Sequence, residues 1–372
     1  MKFYRLIEKI LLFCLVSSWR WFVWVHEIKN VRSKKKLIKR QNLTSEQKKL
    51  IDDFYLENYG RKVSYYWHRL YQSYTGNFDY RYFPEYLFSV YLEPMTNKRL
   101  EVSALEHKSL LTNIVGNGEY GARVPKTYVE CVGGTFWDGE RNIVSKDEAC
   151  KILADLYEGT YQAIVKKTVD TSSGRDVRLI HVENGIDALT NETLETVLET
   201  MGDNFVVQEK ILAHPNFAAL YPGSINTLRV VSYLTSKGAR VAPVLLRIGQ
   251  KGYVDNAHAG GIIVGVTDEG KLLSEAYTEY QERYCRHPVT NVVFEDYQLP
   301  LVPEIIQTAK RLHKNLPNLR FVSWDFTVDN NSQIVVLEVN LCSQSVWMSQ
   351  LAHGKSVFGD DTAEMLQLIK RK

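Results

Sequence analysis

The stretch from Phe321 to Leu341, FVSWDFTVDNNSQIVVLEVNL, constrains the fold more than any other part of the chain. Two runs rich in β-branched and aromatic residues flank the polar residues 329–332, and asparagine-rich turns tolerate the positive φ angles that tight hairpins need. We therefore predict an antiparallel hairpin. A two-residue loop at the paired asparagines places Asp325 opposite Val336.

Three oxygen-bearing side chains share one face of this predicted hairpin: Asp325, Glu338 and Asn340. Diagonal neighbours across a strand pair lie roughly 7 to 8 Å apart, a gap that oxygen ligands at about 2.1 Å from Mg²⁺ can span. Both acids are embedded in apolar segments, where a carboxylate needs a partner or a metal. A metal site is therefore favoured over the alternative of solvated surface acids.

Length and composition indicate a folded chain of two or three subdomains, with 372 residues that are 45% hydrophobic and 12% aromatic. The five cysteines are scattered and never at CxxC spacing, which predicts neither a disulfide framework nor a zinc site and fits a reducing cytosol. The first 50 residues contain 13 Lys or Arg against 3 Glu, so the rest of this +3 chain is net acidic. This distribution argues against nucleic-acid binding.

Residues 1–43 form a basic and apolar segment. Within residues 1–28, the apolar run from Ile10 to Trp19 is too short for a spanning helix, which needs about 20 apolar residues. Lys and Arg residues crowd positions 29–40, and a short apolar helix with a polybasic patch is typical of binding to a cytoplasmic membrane leaflet. The alternatives are a helix packed on the protein's own body and a cleaved signal peptide, against which Glu8 argues.

Residues 44–100 are predicted to be helical and rich in aromatic side chains. Packing within a small helical region is favoured over a carbohydrate-stacking surface for the tract from Tyr65 to Tyr91. Further along, Ser103 with Glu106 and Ser145 with Glu148 predict two capping boxes, each at the start of a helix.

Two arginines and a lysine stand out in predicted strands. Arg229 and Arg247 each interrupt an apolar strand, where an arginine is costly unless it meets an anion or a carboxylate. The alternative to an anion site is an ion pair with one of the metal-binding acids. Lys166 precedes a polar loop containing Ser173 and Gly174, whose backbone N–H groups can hold phosphate beside the lysine charge.

The order of these residues resembles the ATP-grasp superfamily. The order is Lys108, Lys166, Gln208-Glu209-Lys210-Ile211, Asn226, Arg229, Asp325, Glu338 and Asn340. Within that superfamily, the segments SINTLRVV, VDNAHAGGIIV, SWDFTV and VLEVN most resemble the sugar-transfer associated ATP-grasp group of bacterial surface-polysaccharide loci. The resemblance runs from about Glu101 to the C-terminus.

The resemblance implies an α+β, ATP-grasp fold in which two α+β subdomains clamp ATP, a lid over residues 101–210 and a catalytic subdomain over 211–372. It implies ATP and Mg²⁺ as cofactors. The implied ATP contacts are Lys108, Lys166, Ser173, Gly174, Gln208, Glu209, Lys210, Ile211 and Asn226; the implied metal ligands are Asp325, Glu338 and Asn340; and Arg229 and Arg247 are the implied catalytic residues. Two departures from the family pattern are Lys167, where a proline is expected, and the N-terminal α/β domain, which is not evident because residues 1–100 look helical and aromatic. Because of the lysine at position 167, the sequence does not decide whether Lys166 or Lys167 contacts ATP.

The activity that the resemblance implies is ATP-dependent carboxylate-amine ligation through an acyl phosphate, with ADP as product. The expected setting is capsule, O-antigen or other surface-polysaccharide biosynthesis in the cytoplasm, at the inner membrane face. Expected partners are a small-molecule or lipid-linked sugar acid or amino acid, an amine and an anionic membrane surface, with no nucleic acid. The alternatives are a non-catalytic nucleotide-binding scaffold and a kinase of the same fold.

Overall fold

The N-terminal region of the chain is helical. The computed structural model describes residues 2–116, 118–169, 177–252, 255–257 and 260–370, without the side chains of residues 2–10 and 12. The helices before the first strand are α1 (Lys2–Ser33), α2 (Lys35–Arg40), α3 (Ser45–Asn58), α4 (Tyr66–Thr75), α5 (Glu85–Leu87), α6 (Glu93–Thr96), α7 (Arg99–Val102) and α8 (Leu111–Val115). A π-helical turn, Phe88–Leu92, joins α5 to α6, and a 3-10 turn, Lys108–Leu110, precedes α8.

The aromatic tract of this region serves packing. The fully buried members include Tyr71, Tyr74, Tyr82, Phe83 and Phe88. Aromatic side chains bury large apolar areas, so this tract supplies much of the core that a helical region of this size needs. The structure therefore supports the packing interpretation over a carbohydrate-stacking surface.

A first antiparallel sheet follows the helical region. Its strands are β1 (Thr127–Val132), β2 (Thr135–Asp138), β3 (Ile143–Val144), β4 (Thr160–Lys167), β5 (Val177–Glu183), β6 (Ile186–Asp187), β7 (Glu192–Thr193) and β8 (Asn204–Glu209), in the order β3-β2-β1-β8-β4-β5-β6-β7. Helices α9 (Lys146–Asp155) and α10 (Leu194–Met201) bury their apolar sides in the same core. We call this sheet and its two helices the lid. The capping box of Ser145 and Glu148 is confirmed at the start of α9.

The second sheet is larger and also antiparallel. Its strands are β9 (Thr227–Thr235), β10 (Gly238–Val241), β11 (Leu245–Ile248), β12 (Ile262–Val266), β13 (Leu272–Tyr277), β14 (Arg283–Tyr284), β15 (Phe321–Val328) and β16 (Ile334–Asn340), in the order β14-β13-β12-β11-β9-β15-β16 with β10 beside β9. The remaining helices are α11 (Pro215–Ala218), α12 (Val302–Leu312), α13 (Trp347–His353) and α14 (Thr362–Lys370).

The two faces of the large sheet have different roles. Alternate residues such as Leu228, Trp324 and Phe326 point to one face and pack with α12 in the main core. On the other face, Tyr233 and Phe321 are covered by N-terminal and C-terminal helices. Another part of that second face carries polar side chains, among them Arg229, Arg247 and Asp325, and we call this part the site face.

Apolar packing crosses some of the expected domain boundaries. Val102, Leu111 and Ile114 join the core of the large sheet, although they precede the lid in sequence. Leu37 and Ile38 are buried with α4 and α13, although they belong to the basic N-terminal segment. The boundaries at residues 43, 100 and 210 therefore stay predictions.

Candidate active site

The hairpin of β15 and β16 has a longer turn than predicted. Asp329 donates its backbone N–H to the carbonyl of Gln333 at 2.9 Å, and its carboxylate accepts the N–H groups of Asn331 and Gln333. This aspartate turn encloses three residues, so the predicted two-residue loop is wrong.

A β-bulge at Leu337 shifts the register once more. As a result Asp325 lies directly opposite Glu338, rather than opposite Val336 as predicted, and Ser323 lies opposite Asn340. Residues directly opposite one another in an antiparallel pair point to the same face. The two acids and the amide therefore share the site face.

Two arginines surround Asp325. The Nε atom of Arg229 lies 2.5 Å from Oδ1, and NH2 groups of Arg229 and Arg247 lie 3.2 Å and 3.0 Å from Oδ2. Burial alone raises the pKa of Asp325, but the two guanidinium groups outweigh burial and hold this pKa below its ordinary value. Asp325 is therefore an ionised carboxylate at neutral pH.

A second buried acid, Asp255, was not predicted as a site residue. Its Oδ2 accepts the backbone N–H of Thr227 at 3.1 Å and the Thr227 hydroxyl at 2.5 Å. The same hydroxyl accepts two N–H groups of Arg247, at 3.0 Å and 2.7 Å. Asp255 lies within the motif VDNAHAGG, which marks this segment as part of the family pattern. The contacts of Asp255 itself could not be predicted, because they depend on the pairing of β9 with β11. Asp255 and Asp325 thus hold Arg247 between them.

The two predicted phosphate lysines, Lys108 in the turn before α8 and Lys166 on β4, lie beside Glu338. Lys108 Nζ lies 3.3 Å from Glu338 Oε1, and Lys166 Nζ lies 3.5 Å from the carbonyl oxygen of Leu337. Burial and the charge of Lys108 lower the pKa of Lys166 to about 8, although Glu338 opposes this effect. Two neighbouring ammonium groups at the edge of the site face suit an anion.

Strand β4 distinguishes Lys166 from its neighbour Lys167. Ala163 and Val165 point into the lid core, and side chains alternate along a strand. Lys166 therefore lies on the opposite side, which faces the hairpin of β15 and β16. The same alternation directs Lys167 towards the side of the lid core. Ser173 and Gly174 lie outside the described residues.

The predicted adenine-binding strand ends at the junction of the two sheets. Gln208 donates its side-chain N–H to the Thr127 hydroxyl at 3.0 Å, and the Glu209 carboxylate accepts two N–H groups of Arg123 at 2.8 Å and 3.0 Å. The Lys210 ammonium lies 2.6 Å from Gln162. These three side chains are held by protein partners, and Ile211 follows as a buried apolar residue.

Arg123 was not recognised from the sequence. Besides Glu209 it binds the carboxylate of Asp329 at 2.8 Å, so it ties the end of β8 to the turn of the hairpin of β15 and β16. Asn226 is also a structural residue here, since its amide donates to the carbonyls of Phe217 and Tyr221 at 2.7 Å and 3.0 Å. Leu228, two residues after Asn226 and so on the same side of the extended chain, points into the main core. The structure therefore does not bring Asn226 to the acids.

Three glutamates of the helical region hold the loop after Asn340, residues 341–346. Glu106 accepts the backbone N–H groups of Leu341 and Cys342, at 3.2 Å and 2.9 Å. Glu93 accepts the N–H of Gln344 at 2.9 Å, and Glu85 accepts that of Val346 at 3.1 Å. The predicted capping box of Ser103 with Glu106 is wrong, because this carboxylate binds the loop instead.

Among the described residues, no three His, Cys, Asp or Glu side chains come together as a metal cluster. The predicted ligand set contains two acids and an amide, so it does not depend on such a cluster. The Asn340 Nδ2 and the Ser323 Oγ are buried without a hydrogen-bond partner. Both belong to the polar row that contains the acids.

The chain matches the family described as sugar-transfer associated ATP-grasp over residues 87–365. No curated protein matches it. Among solved structures, it is similar to the D-Ala:D-Ser ligase VanG from Enterococcus faecalis, with 16% identity, a TM-score of 0.41, and coverage of 71% of this chain and 61% of that chain.

Two further solved structures are similar at the same low level. One is the ATP-grasp ligase PsnB with minimal precursor, Mg and ADP (12% identity, TM-score 0.41, 74% of this chain and 62% of that chain). The other is the ADP complex of N5-carboxyaminoimidazole ribonucleotide synthetase (12% identity, TM-score 0.37, 66% of this chain). The chain spans 49% of the length of that synthetase. Because these identities and TM-scores are low, the assignment rests on the sequence match. The chain belongs to the sugar-transfer associated ATP-grasp family, and the expected ATP-grasp fold is confirmed.

Proposed function

We propose that this chain is an ATP-dependent carboxylate-amine ligase that works through an acyl phosphate. The observation that carries the proposal is the meeting of Lys166 on β4 of the lid and Lys108 in the turn before α8 with the opposed acids Asp325 and Glu338. Cations for phosphate oxygens and carboxylates for a metal are the two components that phosphoryl transfer from ATP requires.

The residues present fit ATP and Mg²⁺. Asp325, Glu338 and Asn340 offer oxygen donors, which Mg²⁺ prefers, and the Asn340 amide, whose Nδ2 atom has no hydrogen-bond partner, can turn its oxygen towards a ligand. Lys108 and Lys166 would hold phosphate oxygens. Bound Mg²⁺ would neutralise charge on the β- and γ-phosphate oxygens.

The residues of the site face would carry out the transfer. The carboxylate of the acid substrate attacks the γ-phosphorus, and the bond to the β-phosphate bridging oxygen breaks, which releases ADP. Arg229 and Lys166 would stabilise the charge that develops on the transferred group, while Asp325 and Asp255 hold Arg229 and Arg247 in place. The amine then attacks the acyl carbon, loses a proton and displaces phosphate.

The substrate is proposed to be a sugar acid or amino acid, free or lipid-linked, in capsule, O-antigen or related surface-polysaccharide biosynthesis. The family description, sugar-transfer associated, supports this setting. The basic N-terminal segment supports a place in the cytoplasm at the inner face of an anionic membrane. No helix among the described residues is long and apolar enough to cross a bilayer.

One observation favours the scaffold alternative. Both arginines bind Asp325, so this acid is engaged by the protein itself and must share its oxygens with any metal. A scaffold would keep that arrangement and bind nucleotide without turnover.

Hydroxylamine trapping tests the proposal. We expect ATP, Mg²⁺ and a panel of uronic and amino acids to give hydroxamate for at least one acid, with ADP as coproduct, because a small amine can reach an acyl phosphate. AMP and pyrophosphate would overturn the mechanism. A stable phosphorylated product that ignores hydroxylamine would identify a kinase, and ATP binding without acid-dependent ADP release would identify a scaffold.

A further inference from the structure

Helix α1 has a half that packs on the protein and a half that does not. Glu27 is buried, Val31 packs with α4 and α13, and Lys34, directly after the helix, is buried too, so the C-terminal part of the helix is fixed to the body. Leu11 and Leu15 are 59% and 64% exposed. The alternative of a helix packed entirely on its own body therefore does not apply to this half.

The exposed apolar side chains include a stripe directed away from the body. Leu11, Leu15 and Phe22 recur at spacings of four and seven residues, which places them on one side of a helix. Phe22 is 57% exposed and precedes Val31 by nine residues, or about two and a half turns, so the two side chains point in opposite directions. Phe13, which is 73% exposed, lies on the opposite side, so the exposed half of α1 is apolar on both sides and the stripe is the part that points away from the body. An apolar helix side directed away from its body suits the plane of a membrane interface.

The charge next to this stripe matches an anionic surface. The exposed basic residues that follow are Lys29, Arg32, Lys35, Lys36, Lys39 and Arg40. Lys34 is the exception, because it is buried and lies 2.8 Å from Glu279. Each cation near an anionic membrane contributes about 1 kcal/mol.

The same helix touches the rim of the candidate active site. The Arg99 guanidinium lies 4.5 Å from the centre of the Trp19 ring, and its NH1 group donates to the Ser343 hydroxyl at 3.1 Å. Ser343 is three residues after Asn340, so their Cα atoms are at most about 11 Å apart. Arg99 therefore links Trp19 of α1 to the loop that follows Asn340, one of the predicted metal ligands.

We propose that α1 lies in the surface of an anionic bilayer and that the acid substrate of this site is carried on a lipid. This inference rests on the proposed ligase function. If α1 lies in the membrane surface, the loop beside the site lies next to that surface. The site can then bind the head group of a substrate whose lipid is anchored in the bilayer. A substrate free in solution requires no such placement.

Two matched variants test the membrane contact. Phe22→Glu changes the outward side of α1, whereas Phe13→Glu makes the same change at a 73% exposed residue on the opposite side. We expect Phe22→Glu to weaken binding to vesicles of phosphatidylglycerol and phosphatidylcholine by about tenfold or more. Phe13→Glu should weaken binding less. Equal effects, or a lipid-independent dimer in place of vesicle binding, would overturn the proposal.

Fractionated extracts test the substrate class. Cells that lack this protein would be separated into organic-soluble and water-soluble fractions, and each would be added to the wild-type chain with ATP, Mg²⁺ and phosphatidylglycerol vesicles. We expect ADP release with the organic-soluble fraction only, and none with the Glu338→Gln variant. ADP release with the water-soluble fraction alone would overturn the lipid-borne substrate while the ligase proposal stands. ADP release with neither fraction would overturn both.

Discussion

Arg229 and Asp325 lie directly opposite each other on β9 and β15 and form a two-point ion pair, with separations of 2.5 Å and 3.2 Å. Asp325 is buried, and Arg247 binds it as well. This acid therefore has a structural role in addition to any role in metal binding.

Asp325→Asn and Glu338→Gln are expected to differ in stability but not in activity. Removing the buried Asp325 charge takes away the ion-pair partner of Arg229 and leaves Arg247 with Asp255 alone, which costs about 3 to 5 kcal/mol of unfolding free energy. Glu338 is 37% exposed, so its pair with Lys108 contributes under about 1 kcal/mol. Both variants should slow acid-dependent ADP release about a hundredfold or more. Urea denaturation and an ADP assay measure the two effects, and wild-type turnover in both variants would exclude the hairpin as the site.

ATP affinity should fall at alkaline pH because of Lys166. The pKa of this lysine is lowered to about 8, so its ammonium is present below that pH and is lost above it. Bound phosphate favours the charged form, so affinity should weaken above pH 8 by up to about tenfold per pH unit. Calorimetric titration with a non-hydrolysable ATP analogue measures this slope. Lys166→Met should remove it and Lys167→Met should keep it; the reverse would assign ATP contact to Lys167.

Glu93→Gln should stabilise the protein at pH 8 and not at pH 4. Burial raises the pKa of Glu93 from 4.5 to about 8, although the N–H of Gln344 opposes this. Between these values the unfolded chain binds fewer protons than the folded one, so stability falls as pH rises. Glutamine keeps an acceptor without the charge, and the gain at pH 8 should be on the order of a few kcal/mol. Denaturation at both pH values tests this, with the exposed Glu101→Gln as control. An equal change at both pH values would contradict it.

Two N-terminal deletions should behave differently. Removing residues 2–18 deletes side chains that are exposed where they are described, so we expect the unfolding free energy to change by under about 1 kcal/mol. Removing residues 2–43 also deletes Leu37, Ile38, Leu43 and the buried ion pair of Lys34 with Glu279, at about 2 kcal/mol or more per buried apolar side chain. Urea denaturation compares them. Equal stability of the two deletions would show that α2 is not part of the core.

The polar residues of the site face could be predicted because each one breaks an apolar strand. Each is a charged residue within an apolar run of the kind that forms a buried strand: Arg229, Arg247, Asp325 and Glu338. The exact pairing could not be predicted. Turn length and the bulge each moved the register by one residue, and two such shifts together return a side chain to the same face.

The glutamates that hold residues 341–346 had no local signal. Glu106 binds the backbone of Cys342 across 236 positions of sequence, and Glu85 binds that of Val346 across 261. Such contacts join a carboxylate to a backbone N–H group, so the partner can be any residue type and leaves no pattern. Arg123 was missed for a related reason, because its partners are distant in sequence: Glu209 ends β8, and Asp329 lies in the turn between β15 and β16.

The bulge at Leu337 adds one residue to β16 opposite the junction of Asp325 and Phe326. A shorter chain without Leu337 would have an unbroken ladder, and Glu338 would still face Asp325 because it would take the vacated position. The carbonyl that Lys166 reaches would be lost. The extra residue therefore gives Lys166 of the lid a backbone carbonyl to reach on the hairpin, and its deletion would remove that contact while the two acids stay opposite each other.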